Sequence, residues 1–189
     1  YETVRESFSF PFPLYPLQVD NLNQLCASHR AGYYWEPGCG KTAGSTHQAL
    51  LHSLQDGVEQ WIIVMPPILV LQWDRFLRSI KNAAGEPLTT TVYQGTPKQR
   101  QGLSLDSDFI LMSYGMLKND FDRIYQHFDG KAVGVIVDEA TAIKNIASDT
   151  HKAVNMFAEG RHLMLLTGTP VNKPMDAYAY IKLVAPGTY

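Results

Sequence analysis

Short runs of apolar residues recur along the chain and predict a sheet that is covered on both faces. A strand with one solvated face alternates apolar and polar residues, whereas a strand that is apolar throughout is typical of a parallel sheet buried between helices. The predicted strands are 33–35, 61–65, 88–93, 109–112, 133–137 and 163–166.

Segments with helical character lie between these strands. The predicted helices cover 17–30, which offers an apolar side, 41–55 and 69–81. Strand–helix alternation of this kind indicates an α/β fold with a parallel sheet and right-handed crossovers. Because the sequence shows no internal repeat and no low-complexity linker, residues 17–189 are predicted to form one domain.

Residues 1–16 differ from the rest because aromatic residues and prolines alternate in them. Phe8, Phe10 and Phe12 are separated and followed by prolines, which remove backbone donors and favour an extended chain. We therefore expect an extended arm laid over the domain. Its phenylalanines offer a stacking platform for nucleic-acid bases, but packing against the domain is favoured.

Composition limits the classes of function that the chain can have. With 189 residues, 45% of them apolar, the chain can bury a full core. Its 16 basic and 18 acidic residues give a net charge of −2, which excludes a global basic field. Any contact with nucleic acid must then come from local patches and backbone amides.

The cysteine count and the apolar runs predict an intracellular protein without a membrane partner. Cys26 and Cys39 are too few for a disulfide framework. The longest uncharged apolar run is broken by Pro66 and Pro67 and is shorter than the ~20 residues of a bilayer span. No secretory leader is visible, so a cytoplasmic or nuclear location is expected, or the host cytoplasm if the protein is viral. Because the chain opens at Tyr1, we expect a piece of a longer protein.

Residues 38–42 read Gly-Cys-Gly-Lys-Thr between a predicted strand and a predicted helix. Glycines let backbone N–H groups converge on phosphate oxygens, the helix N-terminus attracts anions, and a lysine reaches the outer phosphates. Lys41 is thus a candidate phosphate ligand and Thr42 a candidate Mg²⁺ ligand. The strict pattern of such loops has glycine where this chain has Trp35, and an ordinary glycine turn before a helix stays open as an alternative.

A second polar site follows the apolar strand 133–137. Asp138 and Glu139 stand at its end, where buried carboxylates are costly unless a cation meets them. Together with the phosphate loop they predict Mg²⁺ held by Asp138, with Glu139 placed to orient or deprotonate the attacking water. Taken alone, the pair could equally cap the next helix.

Taken together, several segments resemble motifs of superfamily-two helicases, and within that superfamily the Swi/Snf-type DNA translocases. Gln18 resembles motif Q, and residues 38–42, 138–141 and 167–170 resemble motifs I, II and III. The Swi/Snf likeness lies in 138–145, which ends in Ile-Lys-Asn, in 165–172, in 63–67 with Gln72 and Trp73 (motif Ia), and in 112–114 (motif Ib). The resemblance covers about 15–189, and its specificity comes from the order of the motifs.

The resemblance implies the first of two RecA-like lobes, a three-layer α/β/α fold of the P-loop NTPase kind with a mainly parallel central sheet. It implies that ATP and Mg²⁺ bind at the carboxyl ends of the strands, and that DNA, in duplex form, and a second RecA-like lobe C-terminal to this chain are partners. It assigns ATP binding to Gln18, Pro37, Gly38, Cys39, Gly40, Lys41 and Thr42, catalysis to Lys41 and Glu139, and coupling to Thr141, Thr167, Gly168 and Thr169. Gln18 would read the adenine edge, although it could instead be a surface helix residue.

The same resemblance places motifs Ia and Ib on the backbone of one DNA strand. The candidate contacts are Pro67, Ile68, Ser113 and Tyr114, with Arg75 and Arg78 in a possible phosphate-facing stripe that Lys81 would continue. A solvated helix face explains the same spacing. The six histidines show no metal-ligand spacing, and ordinary core or surface roles are favoured for them.

Two departures from the family pattern bear on activity. Thr141 stands where the group has histidine, so relay of the nucleotide state to the partner lobe is in question. The motifs of the second lobe, with the arginine that stabilises the transferred phosphate, are not in this sequence, so nucleotide binding is expected to exceed turnover.

The function predicted is therefore the ATP-binding lobe of a DNA-dependent ATPase, either a helicase or a double-stranded DNA translocase. A nucleotide-gated binding or scaffolding module without motor activity is the alternative. A single-stranded RNA helicase of the Asp-Glu-Ala-Asp type fits less well, because motif II here ends in threonine.

Overall fold

The computed structural model describes residues 1–169 and 174–187, without the side chains of 174 and 175. Its strands are β1 (Phe8–Ser9), β2 (Arg30–Tyr33), β3 (Gln60–Met65), β4 (Lys81–Asn82), β5 (Thr90–Tyr93), β6 (Phe109–Ser113), β7 (Val133–Asp138) and β8 (Leu163–Leu166). Its helices are α1 (Glu2–Ser7), α2 (Pro16–Leu25), α3 (Lys41–Asp56), α4 (Val70–Arg78), α5 (Pro97–Gln101), α6 (Tyr114–Asn119), α7 (Phe121–His127), α8 (Asp149–Ala158) and α9 (Pro174–Val184). Two 3₁₀ turns cover Pro67–Leu69 and Ala140–Ile143.

Six strands form one parallel sheet in the order β2-β8-β7-β3-β6-β5. The central strands β3 and β7 are buried almost throughout, as expected for a sheet with helices on both faces. One face packs against α1, α3 and α4, and the other against α6, α7, α8 and α9. The predicted three-layer α/β/α fold with a parallel sheet is confirmed.

Several predicted boundaries were wrong. The helix predicted at 69–81 is Val70–Arg78, and the strand predicted at 88–93 is Thr90–Tyr93. The first strand of the sheet is Arg30–Tyr33 rather than 33–35, because its backbone pairs with β8 from Leu163 to Leu166. The preceding helix therefore ends at Leu25 instead of residue 30, and a short turn at 26–29 leads into β2.

The sequence predicts an extended N-terminal segment, but the segment is not extended over its whole length. Residues Glu2–Ser7 form α1, which buries Val4 in the core beside α3. Phe8–Ser9 then pairs antiparallel with β4. The burial of Val4 against the lobe explains the short helix, since a helical turn brings that side chain inward while its polar neighbours stay exposed. The division into an arm of 1–16 and a domain of 17–189 stays a prediction.

All six strands of the main sheet run in one direction, so their carboxyl ends lie along one edge. Both candidate motifs follow strands at that edge: residues 34–40 come after β2, and Glu139 comes after β7. Among the described residues, no helix is both long and apolar enough to cross a bilayer.

Candidate active site

The phosphate-loop candidate lies between β2 and α3 and depends on two glycines. Gly38 and Gly40 have backbone φ angles of 82° and 78°, a left-handed conformation that residues other than glycine rarely adopt. Gly40 is the last residue before α3, so the unpaired N–H groups of the first helical turn open onto the loop.

Lys41, the first residue of α3, is folded back onto this loop. Its buried Nζ donates to the carbonyl of Trp35 at 2.8 Å and to that of Glu36 at 3.3 Å. Thr42 follows in the first turn of the helix, and its carbonyl accepts a hydrogen bond from the Thr46 hydroxyl. The loop thus encloses the ammonium group with backbone carbonyls, which are the neutral counterparts of phosphate oxygens.

Trp35 has a structural reason for standing where such loops have glycine. A Cβ on Gly44 of α3 would lie 2.9 Å from the indole ring, so the ring packs closely over that glycine. Tyr33 meets the same ring edge-on at 5.0 Å between centroids. The indole fastens the start of the loop to the first turns of α3.

Gln18 of α2 contacts the backbone of the phosphate loop. Its Oε1 accepts the Tyr15 backbone N–H at 2.7 Å, and its Nε2 donates to the Cys39 carbonyl, also at 2.7 Å. One amide hydrogen and one lone pair of oxygen are left over for a ligand. A role at the adenine edge stays a prediction, whereas contact with the loop backbone is what the structure has.

Asp138, the last residue of β7, is a carboxylate held in place on both oxygens. Oδ1 accepts the Glu139 backbone N–H at 2.8 Å, and Oδ2 accepts the indole N–H of Trp73 at 2.7 Å. The side chain is only 6% exposed. Burial raises the pKa of Asp138, and the two hydrogen bonds and the charge of Lys41 oppose that rise.

Glu139 has a backbone φ of 50°, the only left-handed conformation among the non-glycine residues that the structure describes. The hydroxyl of Tyr114 donates to the carbonyl of Asp138 at 2.6 Å and to that of Glu139 at 3.3 Å. Thr141 donates from Oγ1 to the Glu139 carbonyl at 3.3 Å. Burial raises the pKa of Tyr114 well above its usual range, so its hydroxyl stays a donor.

The coupling candidates after β8 contact the phosphate loop. The backbone N–H of the buried Thr167 donates to the Tyr33 carbonyl at 3.1 Å, and its Oγ1 accepts the Thr169 N–H at 3.2 Å. A Cβ on Gly168 would lie 2.9 Å from Cδ of Pro37, so the two loops touch. The remaining residues of this motif, Pro170, Val171 and Asn172, lie outside the described residues.

The two motifs meet across a cleft of about 660 Å³. Lys41 and Thr42 of the first motif and Asp138 and Glu139 of the second all line it. The lining residues are Phe12, Pro37, Gly38, Gly40, Lys41, Thr42, Ala43, Leu69, Gln72, Phe76, Asp138 and Glu139. Gln18 and Cys39 are not among them.

Sequence reasoning missed the apolar wall of this cleft. Phe12, half exposed, stacks on Phe76 of α4 with ring centroids 5.8 Å apart. The alternating phenylalanines of the N-terminal segment were a signal, but only the fold shows that Phe12 reaches the cleft. Phe10 stacks instead on His47 of α3 at 3.6 Å.

The candidate nucleic-acid contacts fall into two groups. Pro67 and Ile68 form an exposed 3₁₀ turn after β3, with Ile68 86% exposed, and Arg75 is exposed on α4. Arg78, in contrast, pairs with Asp74 at 2.9 Å and donates to the Thr90 carbonyl. Lys81 lies beyond α4, in β4, and does not continue the helical stripe.

Ser113 and Tyr114 begin α6 directly after β6. The Ser113 hydroxyl caps the helix by accepting the Met116 N–H. Because the Tyr114 hydroxyl is used inside the lobe, only the ring and backbone amides of this pair are left for an outside partner.

Comparison with known proteins gives a consistent set of similarities. The sequence model of the SNF2-related domain matches residues 34–189. An uncharacterised ATP-dependent helicase of Mycoplasma genitalium is 33% identical over an alignment 192 positions long, which covers 90% of this chain and 18% of that protein. Transcription termination factor 2 of Drosophila melanogaster is 30% identical over 65% of this chain and 12% of its own length.

The nuclear protein STH1/NPS1 of Saccharomyces cerevisiae is 27% identical over 80% of this chain and 11% of its own length. The chain therefore spans less than a fifth of each of these relatives. A solved structure of the Sulfolobus solfataricus SWI2/SNF2 ATPase core in complex with dsDNA superposes with a TM-score of 0.76 at 22% identity, covering 94% of this chain and 37% of the other. That similarity shows a shared fold.

Proposed function

The chain belongs to the SNF2-related domain family, and on that premise we propose that it is the ATP-binding lobe of a DNA-dependent ATPase that moves along duplex DNA. One observation carries this proposal. A loop with Lys41 at its end and the carboxylate pair Asp138 and Glu139, which follow different strands, line one cleft at the carboxyl edge of the sheet.

Lys41 is proposed to bind the outer phosphates of ATP. In the structure its ammonium group is satisfied by two backbone carbonyls, and phosphate oxygens would replace these neutral acceptors with charged ones. Hydrogen bonds between charged groups are stronger than those with one neutral partner. The N–H groups at the start of α3 add further donors for the same phosphates.

The residues around Asp138 suit Mg²⁺. A carboxylate so deeply buried carries a desolvation cost that a divalent cation offsets, and oxygen ligands are the ones that Mg²⁺ prefers. Each Asp138 oxygen accepts one hydrogen bond, which fixes its orientation and leaves a lone pair for a ligand. Asp138 and the Thr42 hydroxyl would hold the ion, which when bound neutralises charge on the phosphates.

Glu139 is proposed to orient and deprotonate the attacking water. Its backbone is fixed in an unusual conformation by bonds at both of its peptide groups. Glu139 lines the same cleft as Lys41 and Thr42, which are proposed to act on the phosphates and the ion. Glu139 is thus the general base, and Thr141, Thr167, Gly168 and Thr169 would transmit the state of the cleft to the rest of the motor.

DNA and a second RecA-like lobe are the proposed partners. Support comes from the solved complex with dsDNA and from the small share of each relative that this chain spans. Pro67, Ile68, Ser113, Tyr114 and Arg75 would contact the DNA backbone, with Arg78 in a weaker role. An arginine from the second lobe would contribute about 10³–10⁵ in rate, so this lobe alone should bind ATP and hydrolyse it slowly.

Lys41→Ala and Glu139→Gln test the proposal in the intact parent protein. Each should lower DNA-stimulated ATP hydrolysis by about 10²–10³-fold, the usual effect of removing one group that acts on the transition state. Only Lys41→Ala should also weaken ATP binding, because Glu139 acts on water. The rate of hydrolysis is measured from the phosphate that is released, and ATP binding is measured by calorimetry.

Lys131→Ala and Glu159→Gln, at exposed positions outside the cleft, are the matched controls. Unchanged hydrolysis in both active-site variants would refute the proposal. ATP binding without DNA-stimulated hydrolysis in the wild-type parent would instead favour a scaffolding module.

A further inference from the structure

Three histidines and an aspartate lie together at the amino edge of the sheet, opposite the cleft. His29 directly precedes β2, His162 directly precedes the neighbouring strand β8, and Asp56 is the last residue of α3. The Leu163 backbone N–H donates to the His29 carbonyl at 2.9 Å, which keeps the two strand starts in register. His52 lies one helical turn before Asp56.

The side chains converge on one carboxylate oxygen. His162 Nε2 lies 3.1 Å from Asp56 Oδ2, and His29 Nε2 lies 4.0 Å from the same oxygen. One ligand atom from each of His29, Asp56 and His162 lies within 4.8 Å of the others. The rings of His29 and His162 are 4.5 Å apart between centroids.

The hydrogen-bonded distance between Asp56 and His162 fits a tetrahedral metal site, whereas the distance from His29 to Asp56 is longer. Zinc bonds of about 2.0–2.1 Å to nitrogen and oxygen place neighbouring ligand atoms about 3.3 Å apart. The pair formed by Asp56 and His162 already has that spacing. The His29 side chain is 69% exposed, so it has room to rotate inward by the remaining distance.

Asp56 is held in position by a buried neighbour. His52 Nδ1 lies 2.6 Å from Asp56 Oδ2, and His52 Nε2 lies 3.3 Å from Gln48 Nε2. Both hydrogens of the Gln48 amide are donated to the carbonyls of Leu25 and Ser28. Because an ionised carboxylate can only accept, His52 Nδ1 carries the proton that it gives to Asp56. A carboxylate oriented from outside by a fixed hydrogen bond is what metal sites generally show.

We propose that His29, Asp56 and His162 form a zinc site that ties the end of α3 to the starts of β2 and β8, with one position open to water. Two imidazoles and one carboxylate suit Zn²⁺, whereas Mg²⁺ and Ca²⁺ prefer oxygen ligands alone. Sequence spacing gave no sign of the site, because the ligands come from three separate elements and His162 is 106 residues from Asp56. The inference does not depend on the proposed function.

The test is a calorimetric titration of the chelator-treated full chain with ZnCl₂ at pH 7.5. We expect saturable binding of one ion per chain and a higher thermal midpoint with Zn²⁺ than with EDTA, since a ligand that binds only the folded state stabilises it. Co²⁺ in place of Zn²⁺ should give the intense visible absorption of a tetrahedral ion with nitrogen and oxygen ligands.

His29→Ala is the decisive variant, because this side chain is exposed and its loss should leave the fold intact. Its Kd for Zn²⁺ should rise at least tenfold, and that of His162→Ala likewise. His52→Ala should weaken binding about 10–100-fold through loss of the bond to Asp56, and His52→Gln, which keeps an N–H donor, should recover part of it.

His127→Ala, at a partly exposed histidine outside the cluster, and Cys39→Ser, which removes an exposed thiol, are the controls and should bind as the wild type does. The absence of saturable binding in the wild type would overturn the proposal. Equal Kd values in His29→Ala and His127→Ala would overturn it as well, because the ion would then bind elsewhere.

Discussion

Glu139 illustrates how single residues shape the cleft. A left-handed backbone costs a residue with a side chain roughly 1–2 kcal/mol, and the surrounding bonds must compensate for it. Tyr114 supplies one of them, from a hydroxyl that donates to the backbone carbonyls of Asp138 and Glu139. Under the proposed function, Tyr114 is therefore a positioning residue for Glu139.

We expect Tyr114→Phe to impair catalysis more than binding. The substitution removes the donor to a buried carbonyl, which should destabilise the lobe by about 1–3 kcal/mol. In the intact parent, kcat for ATP hydrolysis should fall while KM for ATP stays close to that of the wild type. Steady-state kinetics and urea unfolding measure the two effects.

Tyr125→Phe, at a more exposed tyrosine of α7, serves as the reference for that experiment. If Tyr114→Phe were to raise KM and leave kcat unaltered, the hydroxyl would act on nucleotide binding and not on Glu139.

Sequence reasoning found the residues of the cleft that belong to contiguous motifs, namely Lys41, Thr42, Asp138 and Glu139. It missed the inward role of Trp73, whose indole N–H binds Asp138 from a helix 65 residues away in sequence. It also missed the cluster around Asp56. Contacts of this kind depend on how helices and strands pack in three dimensions, and a local sequence pattern does not predict that packing.

At the scale of elements, the strands were predicted better than the helices. Strand β8 has the predicted bounds, and β3, β6 and β7 differ by one residue at one end. Each is a buried run whose apolar residues mark it clearly. Helices α6 and α7 have only 6 and 7 residues and meet at Asp120, so neither is long enough to show a 3.6-residue period.

The first strand was misplaced because the apolar residues at 33–35 do not all belong to the sheet. Tyr33 belongs to β2, whereas Trp35 is apolar for contact with α3 and not for the sheet. A sequence alone cannot tell which apolar residue pairs with a strand and which packs on a helix.

Helix α4 provides a matched pair of arginines one helical turn apart. Arg75 is exposed, whereas Arg78 is neutralised by Asp74. In the intact parent, Arg75→Ala should weaken duplex DNA binding and lower the slope of log K against log salt concentration by about 1, as expected for one lost phosphate contact.

Arg78→Ala should change that slope by less, because its charge is already paired. Titrations of labelled duplex DNA at several salt concentrations distinguish the two. Equal slopes for both variants and the wild type would mean that α4 does not contact phosphates.

At the scale of the whole molecule, the N-terminal segment is held to the lobe at a titratable residue. His47 of α3 is buried, stacks on Phe10 and lies near the N-terminal amine and Arg5. Burial, with smaller contributions from these two positive charges, lowers the pKa of His47 to about 4, against an opposing hydrogen bond to the Ala43 carbonyl. The folded state thus holds this imidazole neutral.

The free energy of unfolding should therefore fall as the pH falls from about 6.5 to 4. In that window the unfolded chain binds the proton and the folded chain does not, so acid favours unfolding; above pH 6.5 this residue adds no pH dependence. The loss from His47 should reach roughly 3 kcal/mol at pH 4. Urea unfolding of wild type and His47→Asn, which retains a donor for Ala43, measures it.

The two curves should diverge only below pH 6.5, with the variant less sensitive to acid. Parallel curves would show that His47 does not titrate in this range and that another group, such as His162, whose pKa burial also lowers, dominates.

Helix α3 begins at the phosphate loop and ends at Asp56, so one rigid rod of 16 residues, about 24 Å long, joins the cleft to the histidine cluster. Two ligands that bind the ends of one helix share a thermodynamic cycle. If occupancy at the Asp56 end changes the affinity for ATP by some factor, ATP must change the affinity at the Asp56 end by the same factor. Through this helix, the concentration of free Zn²⁺ would then affect how tightly the protein binds ATP, and the concentration of ATP would affect how tightly it binds Zn²⁺.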